Sequence, residues 1–320
     1  MKSTKRKVLK KPLDYIILFG KGLTMAAVDI IPGVSGGTVA FMSGIHERLV
    51  RALRAIDREA FELIGHKRFA DCWTKIDGNF LATWAAAVFL GLLILSRGMI
   101  HLLGHYPIPL FSFFFGVILM AAPLALRRIR KWSLATVLFF LFGAAATFGL
   151  TLFPPLHTSN TFLWAFVAGL AGALGMLLPG LSGGFFLVLI GKYQLMVWAF
   201  GQMSLPVLGL FAAGSAISLL GMARFLSWII DNYLSTTVAL LAGFMLGSLN
   251  KVWPWREVQE YVITGKGEQI PVADRSILPW NYLVTTSKDP QVFQAMLMMA
   301  LGVFMMVLIE RIAAGLKTTI

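Results

Sequence analysis

Pro32-Gly33-Val34-Ser35-Gly36-Gly37 and Pro179-Gly180-Leu181-Ser182-Gly183-Gly184 are two copies of one turn, 147 residues apart, each set inside an apolar stretch. Proline has no amide hydrogen and biases the residue before it away from helix, so a helix is expected to end near Asp29 to Ile31. Ser35 then caps a second helix starting around Gly36 to Thr38. The same reading applies to the second copy, which makes each turn the tip of a broken helical hairpin.

The surroundings of the turns repeat in the same order. At the offset of 147, Gly22 falls on Gly169 and Gly44 on Gly191; further along, an offset of 127 matches Arg97 with Arg224, Tyr106 with Tyr233 and Gly116 with Gly243. The shorter offset reflects the longer polar loop at 46–79 in the first half. A hexamer recurring with its companions in order reads as an internal duplication.

Composition gives the solvent. The 320 residues are 58% hydrophobic and 13% charged, with a mean hydropathy of +0.77, whereas soluble domains are about 25% charged. Continuous apolar runs occur at 13–31, 80–100, 109–126, 133–153, 161–178, 206–230, 236–250 and 293–313. Roughly 17 to 25 such residues cross about 30 Å of hydrocarbon as a helix. A barrel would alternate apolar and polar residues with period two, and these runs do not. The first run follows a basic tail at 1–12 and imitates a signal peptide, but Lys21 and Asp29 interrupt it and its tip recurs mid-chain, so it belongs to the fold. Cys72 is the only cysteine, which excludes an intrachain disulfide and a thiolate metal cluster.

The formal net charge of +13 is a topology signal rather than a sign of nucleic-acid binding, because no soluble domain presents a basic face. Six Lys and Arg lie at 2–11, seven at 46–79, four at 127–131 and two beyond 310, while the loop at 251–291 balances five basic against five acidic residues. The positive-inside rule places both termini and the loops at 46–79 and 127–132 in the cytoplasm, and 251–291 outside.

The expected fold is all-α and polytopic, in two halves. The first, 13–153, comprises a hairpin at 13–50, an amphipathic cytoplasmic loop at 46–79 and spans over 80–153. The second, 161–313, comprises a hairpin at 161–200, spans over 206–250, the external loop and a last span at 293–313. Whether a hairpin crosses twice or re-enters, it adds an even number of crossings. Three further spans make each half odd, so the halves are inverted. Inverted repeats with Gly/Pro-broken segments at matching positions point to a transporter site near the midplane.

Two tips that aim backbone N–H groups at one place suit an anion, phosphate above all, which makes Ser35, Gly36, Gly37, Ser182, Gly183 and Gly184 candidate ligands. The other reading is a tight turn between packed helices. Arg97 and Arg224 sit late in the span after each hairpin, where a charge costs about 2.5 to 3.5 kcal/mol at mid-bilayer. Either they offer a bidentate fork to phosphate or they snorkel to an interface. Asp29 has no symmetry mate, since Met176 holds its place. It either couples H+ or Na+ to anion movement or pairs with Lys21. Glu47 and its counterpart Gln194 either face the cavity or lie in solvated loop, and Lys192 with Tyr193 either touches a head group or snorkels. The stretch from Glu47 to Phe69 spaces its apolar residues as one interfacial amphipathic helix does, or as a plain solvated one.

No phosphate loop or His-Glu-x-x-His helix is present, and His101 with His105, four apart, lack an obvious third ligand, so neither ATP-driven transport nor zinc chemistry has support. No cofactor is expected.

Asp-Ile-Ile-Pro-Gly-Val-Ser-Gly-Gly-Thr at 29–38 with Gly-Ile-His-Glu-Arg-Leu at 44–49, and Leu-Leu-Pro-Gly-Leu-Ser-Gly-Gly at 177–184 with Gly-Lys-Tyr at 191–193, resemble the paired signatures of a bacterial and archaeal membrane family. That family is associated with polyprenyl-phosphate (undecaprenyl-phosphate) transport. The resemblance implies a multi-pass protein of the cytoplasmic (inner) membrane that returns the lipid carrier's phosphate head group from the outer to the inner leaflet for cell-wall biogenesis. It covers most of the chain. His46 departs from the aromatic residue, such as tyrosine, expected there, and Gln194 from an acid. The rival functions are a transporter or channel for a small soluble anion and an integral-membrane lipid phosphatase, the latter needing a base beside Ser35 or Ser182.

Overall fold

The computed structural model describes residues 12–29, 35–129, 131–156, 158–159, 161–202, 204–263 and 269–318. The first hairpin comprises α1 (Pro12–Asp29) and α2 (Gly36–Met42). Three short helices follow, α3 (His46–Arg54), α4 (Arg58–Gly65) and α5 (Phe69–Lys75), and then three long ones, α6 (Gly78–His105), α7 (Pro107–Leu126) and α8 (Leu134–Leu152). The second hairpin is α9 (Phe162–Leu177) and α10 (Gly183–Leu189), followed by α11 (Tyr193–Gly201) and α12 (Leu205–Ser248). Two antiparallel strands, β1 (Arg256–Ile263) and β2 (Gln269–Ser276), and α13 (Pro279–Thr286) precede α14 (Val292–Thr318). Among the described residues five helices are long and apolar enough to cross a membrane, α12 being counted once.

The boundaries recur at the offsets found in the sequence. α2 and α10 each have seven residues and stand 147 apart at both ends, as do α3 and α11 with nine each. The 44 residues of α12 would make a straight helix of about 66 Å, but Tyr233 breaks it at φ −135°, ψ 48°. Tyr106, between α6 and α7, has φ −131°, ψ 50°. Pro107 restricts Tyr106; Tyr233 takes the same conformation before a leucine.

Small residues set the helix pairing, as they do where helices associate without a hydrophobic driving force between them. A side chain on Gly22 of α1 would run into Ala87 of α6, and one on Gly169 of α9 into the Phe211 carbonyl of α12. The later spans pair crosswise. α7 packs on α14, where Gly116 meets the Met299 carbonyl and Gly302 the Phe113 carbonyl. The part of α12 after Tyr233 packs on α8, where Gly243 meets the Phe140 carbonyl and Gly143 the Leu240 carbonyl. The last span of each half therefore pairs with the other half.

The structure departs from the expected elements twice. In place of one amphipathic helix over 47–69 there are three short ones: Asp57 starts α4 afresh by accepting from the Ala60 amide at 3.0 Å, and Lys67 turns the chain at φ +59°. Phe61, Ile64, Phe69 and Trp73 stay exposed along this stretch. The segment at 251–291, read from the sequence as a loop between spans, holds the β1–β2 ribbon. It is anchored by Ile277 N–H to the Trp255 carbonyl at 3.0 Å and by Trp255 Nε1–H to the Pro290 carbonyl at 2.7 Å.

Candidate functional site at the junction of the hairpin tips

The two tips meet. Ser35 caps α2 by accepting from the Gly37 amide at 3.1 Å, and its hydroxyl lies 3.3 Å from the Leu178 carbonyl and 3.4 Å from that of Gly175. The Gly180 amide donates to Thr38 Oγ1 at 2.9 Å, and the His46 Nε2–H to the Leu177 carbonyl at 2.9 Å. The second tip can present these carbonyls because Leu178 leaves the helix in an extended conformation and Gly180 turns at φ +88°. Ser35, Thr38, His46 and Ser182 are all buried, and α2 lies beside a core that includes Ile118, Ala121, Leu241 and Met245.

The tips differ in what they do with their amides. At the first, the Asp29 carboxylate turns back and accepts from the Gly36 amide at 2.6 Å. That carboxyl occupies the amide at the start of α2, so the chain supplies its own hydrogen-bond acceptor there. A side chain on Gly36 would overlap this carboxylate, and one on Gly37 would crowd the Met176 carbonyl. At the second tip no acid stands in the matching position, Ser182 makes no capping bond with its side chain, and Gly184 has only the Ser182 hydroxyl near the place of a missing side chain.

Beside the second tip Gly180, Leu181, Ser182, Phe185, Thr147, Thr151, Ser248 and Lys251 line a closed crevice with no room for a water molecule. The Lys251 ammonium lies 5.9 Å from the centre of the Phe185 ring and donates to Asp274 Oδ1 at 2.7 Å. Arg256 holds the other oxygen of Asp274 at 2.6 Å. Burial lowers the Lys251 pKa against the pull of Asp274. Burial would raise that of Asp274, but the Arg256 bonds and the Lys251 charge more than offset it and hold the carboxyl below its ordinary value. Thr147 Oγ1 is buried with no hydrogen-bond partner among the described residues. The crevice thus holds a cation paired with Asp274 and one unmet hydroxyl, Thr147, and it is closed in this structure: its walls must part before an anion can enter.

The remaining candidates are distributed away from the junction. Glu47 is exposed in the first turn of α3 and lies 3.7 Å from Arg51. Lys192 is buried and donates to the Thr158 and Ser159 carbonyls, both at 2.8 Å, tying α11 to the linker before α9; Tyr193 begins α11. Arg224 donates to the Leu220 carbonyl at 3.1 Å and to that of Ile56, in the link between α3 and α4, at 2.7 Å. Lys21 donates to the Ser43 carbonyl at 2.7 Å. Pro32, Gly33 and the side chains of Arg97 and Gln194 lie outside the described residues. His101 and His105 stack on each other at 4.1 Å.

Sequence reasoning passed over four residues. Thr38 and His46 join the tips, Lys251 lines the crevice, and Arg128, read only as a topology charge, lies 5.0 Å from the Phe41 ring of α2. Their signals were weak: each is a single polar residue whose partner is more than 65 positions away, apart from the Lys251–Asp274 contact within the segment at 251–291.

Broken hairpins joined at their tips inside a bundle of long apolar helices define a multi-pass α-helical membrane protein. The undecaprenyl phosphate translocase-like family model, VCA0040-like, matches residues 25–270, and the chain belongs to that family. It is 35% identical over 303 residues to a Vibrio cholerae protein named polyprenyl-phosphate transporter, covering 95% of this chain and 98% of that one. It is 28% identical over 252 residues to a Staphylococcus aureus protein of the same name, covering 73% and 84% respectively. No solved structure matches.

Proposed function

We propose that this chain is a flippase for undecaprenyl phosphate or a similar polyprenyl phosphate, returning the carrier lipid across the cytoplasmic (inner) membrane for cell-wall biogenesis, driven by an H+ or Na+ gradient. The halves, 13–153 and 161–313, are inverted repeats, with both termini in the cytoplasm and 251–291 outside. Each hairpin is re-entrant: α2 and α10, at seven residues, extend only about 10 Å as helices against about 30 Å of hydrocarbon.

The observation that carries the reading is the joined pair of tips, one holding the Asp29 carboxylate and the other bordering the Lys251 crevice. An amphiphile with a single phosphate needs an anion site open sideways to lipid, with its tail left in the bilayer. Ser182, Gly183, Gly184 and Lys251 receive the phosphate on the outer side. Arg224 and Arg97 act where it leaves or enters, and rocking of one repeat against the other exposes the site alternately. Asp29 is the coupling acid, set beside the site without competing for the second tip. No bond is made or broken in the lipid, so the protein works as a carrier.

The test is reconstitution in vesicles with polyprenyl phosphate in the outer leaflet and an imposed H+ or Na+ gradient. Loss of outer-leaflet lipid that depends on the protein and steepens with the gradient is expected. Release of inorganic phosphate from the lipid would instead make the chain a phosphatase, and transport of free phosphate in preference to lipid would make it a small-anion carrier.

A further inference from the structure

A second cavity lies beside the crevice, of about 520 Å³, between α7, α8, the end of α12 and the segment from β2 to α13. Its size falls within the range of ordinary small-ligand sites, ~300 to 1,000 Å³. Phe115, Phe148, Leu246, Leu249 and Trp253 supply apolar walls, and Arg275, Asn281, Asn250 and Ser276 supply polar groups.

These polar groups are not equally occupied. Asn250 Nδ2 donates to Thr151 Oγ1 at 2.6 Å, and Ser276 Oγ lies 2.9 Å from Asn250 Oδ1. Arg275 is exposed, and among the described residues neither its guanidinium nor the Asn281 amide makes a side-chain hydrogen bond or ion pair. Glu257 stands opposite Arg275 in the β ladder without such a pair. Arg256, the preceding cation on the ribbon, is fully engaged with Asp274, Ser276 and the Asn250 carbonyl. The ribbon therefore carries one arginine that holds it in place and one that faces a cavity.

Cavity and crevice share a wall. Phe148, Leu249 and Asn250 line the cavity, while Thr147, Thr151, Ser248 and Lys251 line the crevice, so the Asn250–Thr151 hydrogen bond stands between them. An arginine fork, a neighbouring amide and aromatic and aliphatic walls together match one chemical class: a phosphate monoester on an apolar chain.

We propose that this cavity is a loading vestibule for the lipid monophosphate on the outer side, Arg275 and Asn281 taking the phosphate and Phe115, Phe148 and Leu246 the first isoprene units, before the head group passes the Asn250–Thr151 bond to Lys251. The inference rests on the proposed transport function and adds the place and specificity of its first step. Neutral prenols lack the group that Arg275 recognises, and free phosphate lacks the chain that the walls cover.

The test uses the full chain in nanodiscs with farnesyl phosphate as probe, and in vesicles with polyprenyl phosphate. Arg275→Gln is expected to weaken farnesyl phosphate binding about tenfold or more, Arg275→Lys to restore part of it and Asn281→Ala to weaken it less. The KM for outer-leaflet lipid should rise with Arg275→Gln more than kcat falls. Farnesol, inorganic phosphate and phosphatidylglycerol should each displace the probe poorly. Wild-type affinity in both Arg275→Gln and Asn281→Ala, with transport intact, overturns the vestibule and leaves the transport reading standing. Equal displacement by inorganic phosphate or by phosphatidylglycerol overturns the assigned ligand class. A wild-type protein that moves no polyprenyl phosphate overturns both.

Discussion

The amide of Gly180 donates to the hydroxyl of Thr38 at 2.9 Å, so the second hairpin tip is fastened to the first return helix across 142 positions of sequence. Thr38 belongs to α2, while Gly180 also packs against the backbone of α12 near Met245. The bond thus ties the hairpin of one half to that of the other, and through the packing of Gly180 places both beside α12. Thr38→Val keeps the shape and removes the acceptor, leaving a buried N–H unmet at a cost of about 1 to 3 kcal/mol. The thermal midpoint of the purified protein should fall, and Thr38→Ser should recover most of the loss. Equal midpoints for Val and Ser would mean that the bond contributes nothing.

Asp29 offers a separation of charge from hydrogen bonding. Asn at this position retains an oxygen able to accept from the Gly36 amide, 2.6 Å away in the native protein, but loses the negative charge. Asp29→Asn should therefore accumulate normally while the transport rate in vesicles loses its dependence on the H+ or Na+ gradient. An unchanged gradient dependence would remove Asp29 from coupling. Gly36→Ala, by contrast, drives a methyl group into the carboxylate and should impair both accumulation and transport.

The long spans and the tips were legible in the sequence because their causes are local. Apolar runs end where Pro, Gly or charge intervenes, and Ser35 caps the helix that begins after it. The identity of the partners was not legible. Nothing in the spacing of Gly116 or Gly243 says that α7 packs on α14 and α12 on α8, because a small residue permits close approach without choosing the neighbour. The balanced charges of the segment at 251–291 concealed that Lys251 and Arg256 share Asp274. Asp29 was visible as an unmatched acid, but not that its carboxylate folds back over seven residues onto Gly36.

Crosswise packing gives a comparison among glycines of α12 and α14. Gly243→Val and Gly302→Val place side chains against the Phe140 and Phe113 carbonyls, whereas Gly209 and Gly221 of α12 have open space around the position of a side chain. The first two variants should reduce the folded yield in detergent and lower the thermal midpoint, as overpacking typically costs about 1 to 3 kcal/mol. Gly209→Ala and Gly221→Ala should remain close to wild type. Uniform tolerance across the four would contradict the pairing of α12 with α8 and of α7 with α14.

The β1–β2 ribbon should respond to acid. Asp274 has a pKa below its ordinary 3.8 in the folded chain because Arg256 and Lys251 outweigh the effect of burial. A lowered folded pKa contributes stability that is present above the unfolded value and is lost as pH falls through the folded one. The protection of the β1 and β2 amides against hydrogen exchange, taken relative to the unstructured chain at each pH, should therefore hold down to about pH 4, near the ordinary carboxyl value, and fall below it. Asp274→Asn should remove that pH step and show faster exchange at neutral pH. A step of the same size in the variant would assign it to another group.

Arg224 separates transport from anchoring. Its guanidinium is exposed and donates to the Ile56 carbonyl at 2.7 Å, where α3 and α4 join, while the neighbouring Arg54 donates to Ser227 and Asp231 of the same helix. α12 is thus fastened once to the end of α3 and once to the α3–α4 link, and one fastening can be lost with the other retained. If Arg224 also receives the phosphate as it crosses, Arg224→Ala should lower transport about tenfold or more while Arg54 keeps the helix in place and the thermal midpoint moves little. Arg224→Lys, which keeps the charge but loses the fork, should fall between. An anchoring role alone predicts a different pattern, in which transport declines only as far as the midpoint does and Arg54→Ala matches Arg224→Ala in both measurements. Transport and thermal unfolding of these three variants, measured on the same preparations, distinguish a residue that touches the substrate from one that holds a helix end.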